Sequence, residues 1–90
     1  MDVLDALKDA ARRVVGARQV LRAIAAGEVA HAWIARDADP FVTRPVVDAC
    51  EKSGVRYTEI ETMAQLGAAC GIDVRASVAG ALKEARRDNV

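Results

Sequence analysis

Three times along this 90-residue chain a segment with helically spaced apolar residues runs into a glycine and gives way to a strand-like run. Val20, Leu21, Ile24 and Ala25 form the apolar stripe of a helix from about Ala17 to Ala26, which Gly27 caps. Val29 to Ala35 then reads as a buried strand. Val46, Val47 and Cys50 mark the inward face of a second segment that ends before Gly54, and Val55 to Ile60 follows as a strand. A third segment opens at Thr62 and closes at Gly71. Beyond the loop Ile72 to Arg75, Ala76 to Leu82 is a small-residue strand or a strand-to-helix passage. Helices and strands alternating at such short intervals require a mixed or parallel sheet with helices on both faces, an α/β class.

The remaining elements follow from caps and breakers. Val3, Leu4, Leu7, Ala10 and Ala11 recur at helical spacing, with Asp2 and Asp5 at the positive end of the dipole, so a first helix is predicted over Asp2 to Arg12. Val14-Val15 forms a very short strand before the turn at Gly16. Pro45 suits a first helical turn, which places the N-cap of its helix at Thr43. Asp37-Ala38-Asp39-Pro40 is a turn. Thr62-Met63-Ala64-Gln65 has the pattern of a capping box.

Composition limits what this scaffold holds. Ninety residues give one domain, 1–90, and hydrophobic residues make up 52% of the chain, much of it alanine. The aromatic residues are Trp33, Phe41 and Tyr57 alone, so close helix packing through small side chains is expected instead of a large aromatic core. The acidic, helix-like amino terminus and the lack of any long apolar run point to a cytoplasmic protein without a membrane partner. Cys50 and Cys70 lie twenty residues apart with no neighbouring histidine, which suggests small buried hydrophobes and neither a metal site nor a disulfide framework.

Formal charge sums to zero, from 13 Lys and Arg against 13 Asp and Glu. The distribution is uneven. From Ala10 to Gly27 the chain carries Arg12, Arg13, Arg18 and Arg22 with no acid, whereas Asp37 to Glu61 holds six acids against three bases. A basic patch on a more acidic body is the footprint of a local nucleic-acid contact, and equally of a solvated helix face.

Gly16-Ala17-Arg18-Gln19-Val20-Leu21-Arg22-Ala23 gives that patch chemical detail. Glycine opens a helix whose first turns display two guanidinium groups and an amide. Arginine forks onto guanine O6 and N7, glutamine offers a donor and an acceptor, and the helix N-terminus favours phosphate. Arg18 and Arg22, four apart, share a face. Catalytic sets are absent by spacing: His31 has no nucleophile or acid-base partner in sequence, and Asp37 with Asp39 supplies too few oxygens for a hard metal and suits turn and capping roles. No cofactor, no metal and no enzymatic activity are expected.

A second stretch, Leu66-Gly67-Ala68-Ala69-Cys70-Gly71-Ile72-Asp73-Val74-Arg75-Ala76-Ser77-Val78-Ala79, sharpens the reading. Together with the Gly16 motif, the Asp37–Pro40 turn and the passage from Cys50-Glu51 to Gly54-Val55-Arg56-Tyr57, it resembles the small ribosomal proteins that recognise kink-turns in RNA, whose archaeal prototype is large-subunit ribosomal protein seven-Ae. The resemblance rests on the order and spacing of these motifs over most of the chain. It implies a three-layer α/β/α sandwich with a small mixed sheet of about four strands. It also implies a structured RNA with a kink-turn as the partner and the ribosome as a further one; nothing in the sequence demands a dimer, and a monomer is expected.

In that family the start of the second helix reads the exposed edges of guanines in tandem sheared G·A pairs, and the later loop packs on a base flipped out of the kink. The matching positions are Gly16, Ala17, Arg18, Gln19 and Arg22 for the first, and Ile72, Asp73, Val74 and Arg75 for the second. Relatives often carry Asn-Glu or Lys-Gln at the first two reading positions and Lys at the third, so Arg18 and Arg22 keep the charge but change the fork geometry. Ile72 reads as core or as ligand contact, Val74 as the better loop contact and Arg75 as an extra phosphate contact. The alternative function is a ribosome-associated protein-interaction module on the same sandwich.

Overall fold

The most buried strand of the sheet is built from the least bulky sequence. Val78, Ala79, Gly80, Ala81 and Leu82 form β4 (Val78–Leu82), every residue of it buried, in a computed structural model that describes residues 3–84. The sequence closes this strand on a basic tail, Lys83 to Arg87, which lies largely outside the described residues, as does Asp2. β4 pairs antiparallel with β1 (Arg13–Val15) on one side and with β2 (Val29–Ala35) on the other, while β3 (Arg56–Ile60) runs parallel to β2 at the edge. The order β1-β4-β2-β3 makes a mixed four-stranded sheet.

Alternation along the strands sends side chains to two separate cores. On one face Val14, Val78, Leu82, Ala32 and Ile34 meet Val20 and Ile24 of α1 (Ala17–Ala25) and Val46 and Cys50 of α2 (Pro40–Ser53). On the other, Trp33, Ala35, Ala79 and Ala81 meet Leu66 of α3 (Met63–Ala69), Cys70 and Leu7. The expected α/β/α sandwich results. Leu7, Val20, Val46 and Leu66 are wholly inaccessible to solvent, and each such side chain contributes about 1.5–3 kcal/mol of apolar burial. Both thiols are fully buried, and burial pushes both up in pKa. Glu51 adds to the rise at Cys50, whereas the Arg13 guanidinium opposes it at Cys70.

Two elements differ from the sequence expectation. The segment expected as one helix over Asp2 to Arg12 consists of two 3₁₀ turns, Val3–Lys8 and Ala10–Arg12. Asp9 between them adopts an extended conformation, and its carboxylate accepts from the Ala11 N–H at 3.0 Å, an alternative that short acidic side chains offer against helix. The Leu7 and Lys8 carbonyls, which a continuing α-helix would pair, accept instead from the Arg13 guanidinium at 3.1 and 3.4 Å.

The second difference is at α2, which starts at Pro40 and not near Thr43. Asp39 is the cap, accepting from Phe41 N–H at 2.9 Å, and Pro40 occupies the first helical position, where no donor is needed. Pro45 consequently lies inside the helix, where it has no N–H to give the Phe41 carbonyl. The capping box at Thr62 forms on the hydroxyl side, with Gln65 N–H donating to Thr62 Oγ1 at 3.0 Å. His31 is half-buried at the sheet rim: Nε2 lies 2.7 Å from Thr58 Oγ1 and the ring leans on Trp33, centroids 4.5 Å apart. Burial, and secondarily the charge of Arg56, hold its pKa below the ordinary value.

Candidate nucleic-acid interface

Gly16 is where the sheet hands the chain to its basic helix. Its φ of 97° and ψ of 146° belong to a region open essentially to glycine alone. Its N–H donates to the Val78 carbonyl at 2.9 Å, and its own carbonyl accepts from Val20 N–H at 3.0 Å to begin α1. One residue is thus tied to the start of β4 and to the first helical turn. Ala17 packs on the core. Arg18, Gln19 and Arg22 point outward and are exposed, and none of the three is ion-paired among the described residues.

The later loop reaches the same end of the sheet. α3 ends in a Schellman pair, Gly71 N–H to Ala68 carbonyl at 3.0 Å and Ile72 N–H to Gly67 carbonyl at 3.2 Å. The chain then turns back across α3, and Ala76 N–H donates to the Met63 carbonyl at 3.1 Å. Gly67 permits this crossing: a Cβ there would land on the Val74 carbonyl oxygen and within 3.3 Å of Arg75 Cα. With its backbone laid against Gly67, Val74 is 68% exposed, and Asp73 and Arg75 are exposed beside it. Ile72 is half-buried and packs against the Leu66–Trp33 core, so it supports the loop from beneath.

Three loops therefore meet at one sheet end. Ser77 accepts from Ala35 N–H at 2.9 Å at the close of β2, one residue before Val78 holds Gly16. The Asp37–Pro40 turn joins the same edge. Asp37 Oδ1 accepts from Met63 N–H at 2.7 Å and Asp39 caps α2, so both acids serve structure as expected. Gly16–Arg22 and Asp73–Arg75 flank one backbone junction.

The structure redraws the basic patch. Arg13 Nη1 is spent on three carbonyls, Leu7, Lys8 and Cys70, the last at 2.7 Å, and holds the amino-terminal turn to the end of α3. Arg44 and Arg75 join Arg18 and Arg22 as exposed cations without an ion pair among the described residues, where the pair present is Arg36–Glu59 at 3.6 Å. Sequence reasoning also passed over Phe41, which is 90% exposed. With Val42 and Pro45 it forms one wall of an open cleft of about 530 Å³ whose other wall is Gly16, Arg18 and Gln19. The sequence signal was an aromatic residue directly after the Asp-x-Asp-Pro turn.

A helix start and a loop displayed together at a sheet end make a surface for binding and orienting a ligand. The protein-family model of the Ribosomal protein L7Ae/L30e/S12e/Gadd45 family matches residues 1–90, and the chain belongs to that family. An RNA-binding protein of Caldanaerobacter subterraneus subsp. tengcongensis is 46% identical over 68 residues, covering 76% of this chain and 83% of that protein. The RNA-binding protein YbxF of Geobacillus stearothermophilus is 34% identical over 74 residues, covering 82% of this chain and 90% of its own. Among solved structures, the Giardia lamblia 15.5kD RNA binding protein superposes with a TM-score of 0.82 at 32% identity, covering 91% of this chain and 72% of that one. These relatives and this structural neighbour are RNA-binding proteins.

Proposed function

We propose that this protein, an RNA-binding member of its family, recognises kink-turns with tandem G·A pairs and stabilises the kinked form, acting as a monomer. Arg18 and Gln19 read guanine edges, Arg22 neutralises phosphate, and Gly16 and Ala17 let the RNA backbone approach the start of α1. Asp73, Val74 and Arg75 contact an extruded base and its phosphate, with Ile72 holding the loop in place. Recognition of this kind suits RNA, where the A-form major groove excludes side chains and specificity comes from bent or unpaired elements.

The observation that supports the reading is the Gly16 N–H to Val78 carbonyl bond, which ties the start of α1 to the strand that follows the Ile72–Arg75 loop. A kink offers an edge-reading site and a flipped base close together, and a straight duplex offers neither. Ribosomal RNA and other structured RNAs present such kinks, so the ribosome is among the proposed partners. Gel shifts with a kink-turn RNA and with a bulge-free duplex of equal length test the proposal. Tighter binding of the kinked RNA by tenfold or more is expected. Equal affinity refutes it and favours a protein-interaction role.

A further inference from the structure

Phe41 is the exposed aromatic ring of the described residues, and nothing in the fold uses it. Its ring adds no core area at 90% exposure, yet its backbone is held in the cap of α2. Asp39 accepts from Phe41 N–H through its side chain at 2.9 Å, and its carbonyl accepts from Val42 and Thr43 N–H at 2.9 and 3.1 Å. Pro40 and Pro45 bracket the turn and remove backbone freedom on both sides. An aromatic side chain standing in solvent on a fixed backbone suits a stacking partner, since the backbone has little entropy to lose on binding.

The surroundings select the partner. Across the cleft stand Arg18 and Gln19, which the proposed function assigns to guanine edges, and on the other side of the ring lies Arg44. Asp48 lines the outer groove beyond Arg44. A flat apolar face between the guanine-reading Arg18 and the outer Arg44 matches a neighbouring nucleotide, whose base stacks while its phosphate meets Arg44. The cleft is also continuous with the start of α1, so an RNA strand leaving the kink passes over it.

We propose that Phe41 is a base-stacking platform that extends the RNA site beyond the kink, taking an unpaired nucleotide adjacent to the G·A pairs, with Arg44 on its phosphate. The inference rests on the kink-turn reading and enlarges its footprint. It makes Phe41 a specificity-determining residue for RNAs that carry an unstacked base on the α2 side, whereas Val74 serves the base extruded on the loop side.

The test uses kink-turn RNAs with 2-aminopurine at each unpaired position in turn, titrated with wild-type protein, Phe41→Ala, Phe41→Leu and Phe41→Trp. Stacking is expected to quench one probe position in the wild type and Phe41→Trp complexes and to leave it bright in the other two. Loss of one base–aromatic stack weakens binding roughly 5- to 100-fold in Phe41→Ala and Phe41→Leu, and abasic substitution at that nucleotide removes the difference. Melting temperatures stay level because the ring is outside the core. Kink preference retained with equal affinity for all four proteins overturns the Phe41 proposal and leaves the kink-turn reading standing. Loss of kink preference in the wild type overturns both. A Phe41→Leu variant that binds as the wild type shows apolar docking without stacking, and also overturns it.

Discussion

Replacing Gly67 with alanine sets two effects of opposite sign against each other. In an ordinary helix the change gains about 1 kcal/mol of propensity. Here the new methyl lands on the Val74 carbonyl oxygen, with Arg75 Cα 3.3 Å away, and both are backbone, so no flexible side chain can give way. The loop has to lift from α3 or the helix has to shift into the core around Leu66 and Cys70. Overpacking of this kind costs about 1–3 kcal/mol. Lifting the loop also endangers the Ile72–Gly67 and Ala76–Met63 bonds, each worth about 1 kcal/mol net. The balance is a destabilisation of roughly 1–3 kcal/mol, a fall in melting temperature on the order of 4 to 20 °C for a domain of this size. Thermal denaturation followed by circular dichroism reads it. RNA affinity falls too, because Val74 loses its seat, while the salt dependence stays unchanged since no cation is removed. A Gly67→Ala protein that melts higher than the wild type refutes the close crossing and the loop placement built on it.

Gln19→Ala narrows the gap between a native kink-turn and one with disrupted G·A pairs by about 1–3 kcal/mol, whereas Arg22→Ala weakens both RNAs alike and flattens the slope of log affinity against log salt by about one unit. The wild-type slope is on the order of three to four for Arg18, Arg22, Arg44 and Arg75, and titrations at several salt concentrations check both statements; Arg13→Met lowers the melting temperature and leaves the slope alone. Val74→Asp weakens RNA binding with the melting temperature nearly unchanged, as its 68% exposure requires, and a variant that unfolds would return Val74 to the core. His31 has a pKa lowered in the folded state, so the unfolded chain takes up the proton first as pH falls; stability is full above about pH 6.5 and declines below it. Denaturant midpoints between pH 7.5 and 5 reveal that decline, and His31→Gln removes that contribution if the assignment holds.

Fold class was readable from the chain because its signals were local and agreed. Val20, Leu21 and Ile24 describe one helical stripe, and Gly27, Gly54 and Gly71 stop three helices where strands or a loop must begin. The start was misread because alanine carries no strong periodic signal: Ala10 and Ala11 suit either helix type, and the Asp9 carboxylate accepting from Ala11 N–H decides locally. At α2 two prolines competed for the first helical turn, and Asp39, a stronger cap directly before Pro40, prevailed over Thr43, two residues before Pro45. The spaced motifs Gly16 to Arg22 and Ile72 to Arg75 singled out two segments that the fold brings to one end of the sheet. The burial of Arg13 in carbonyl contacts depends on Cys70, 57 residues away, and the cleft at Phe41 depends on how α1 and α2 lie together; neither is encoded in a local pattern.

Fluorescence resonance energy transfer across a kink-turn with labelled arms measures directly whether this surface holds RNA in a kinked form. In a buffer where the free RNA is extended, equimolar protein is predicted to raise transfer to a plateau at one protein per RNA, and the same RNA with both G·A pairs replaced by Watson–Crick pairs is predicted to stay extended. Binding without a change in transfer, or equal bending of the two RNAs, would contradict the account.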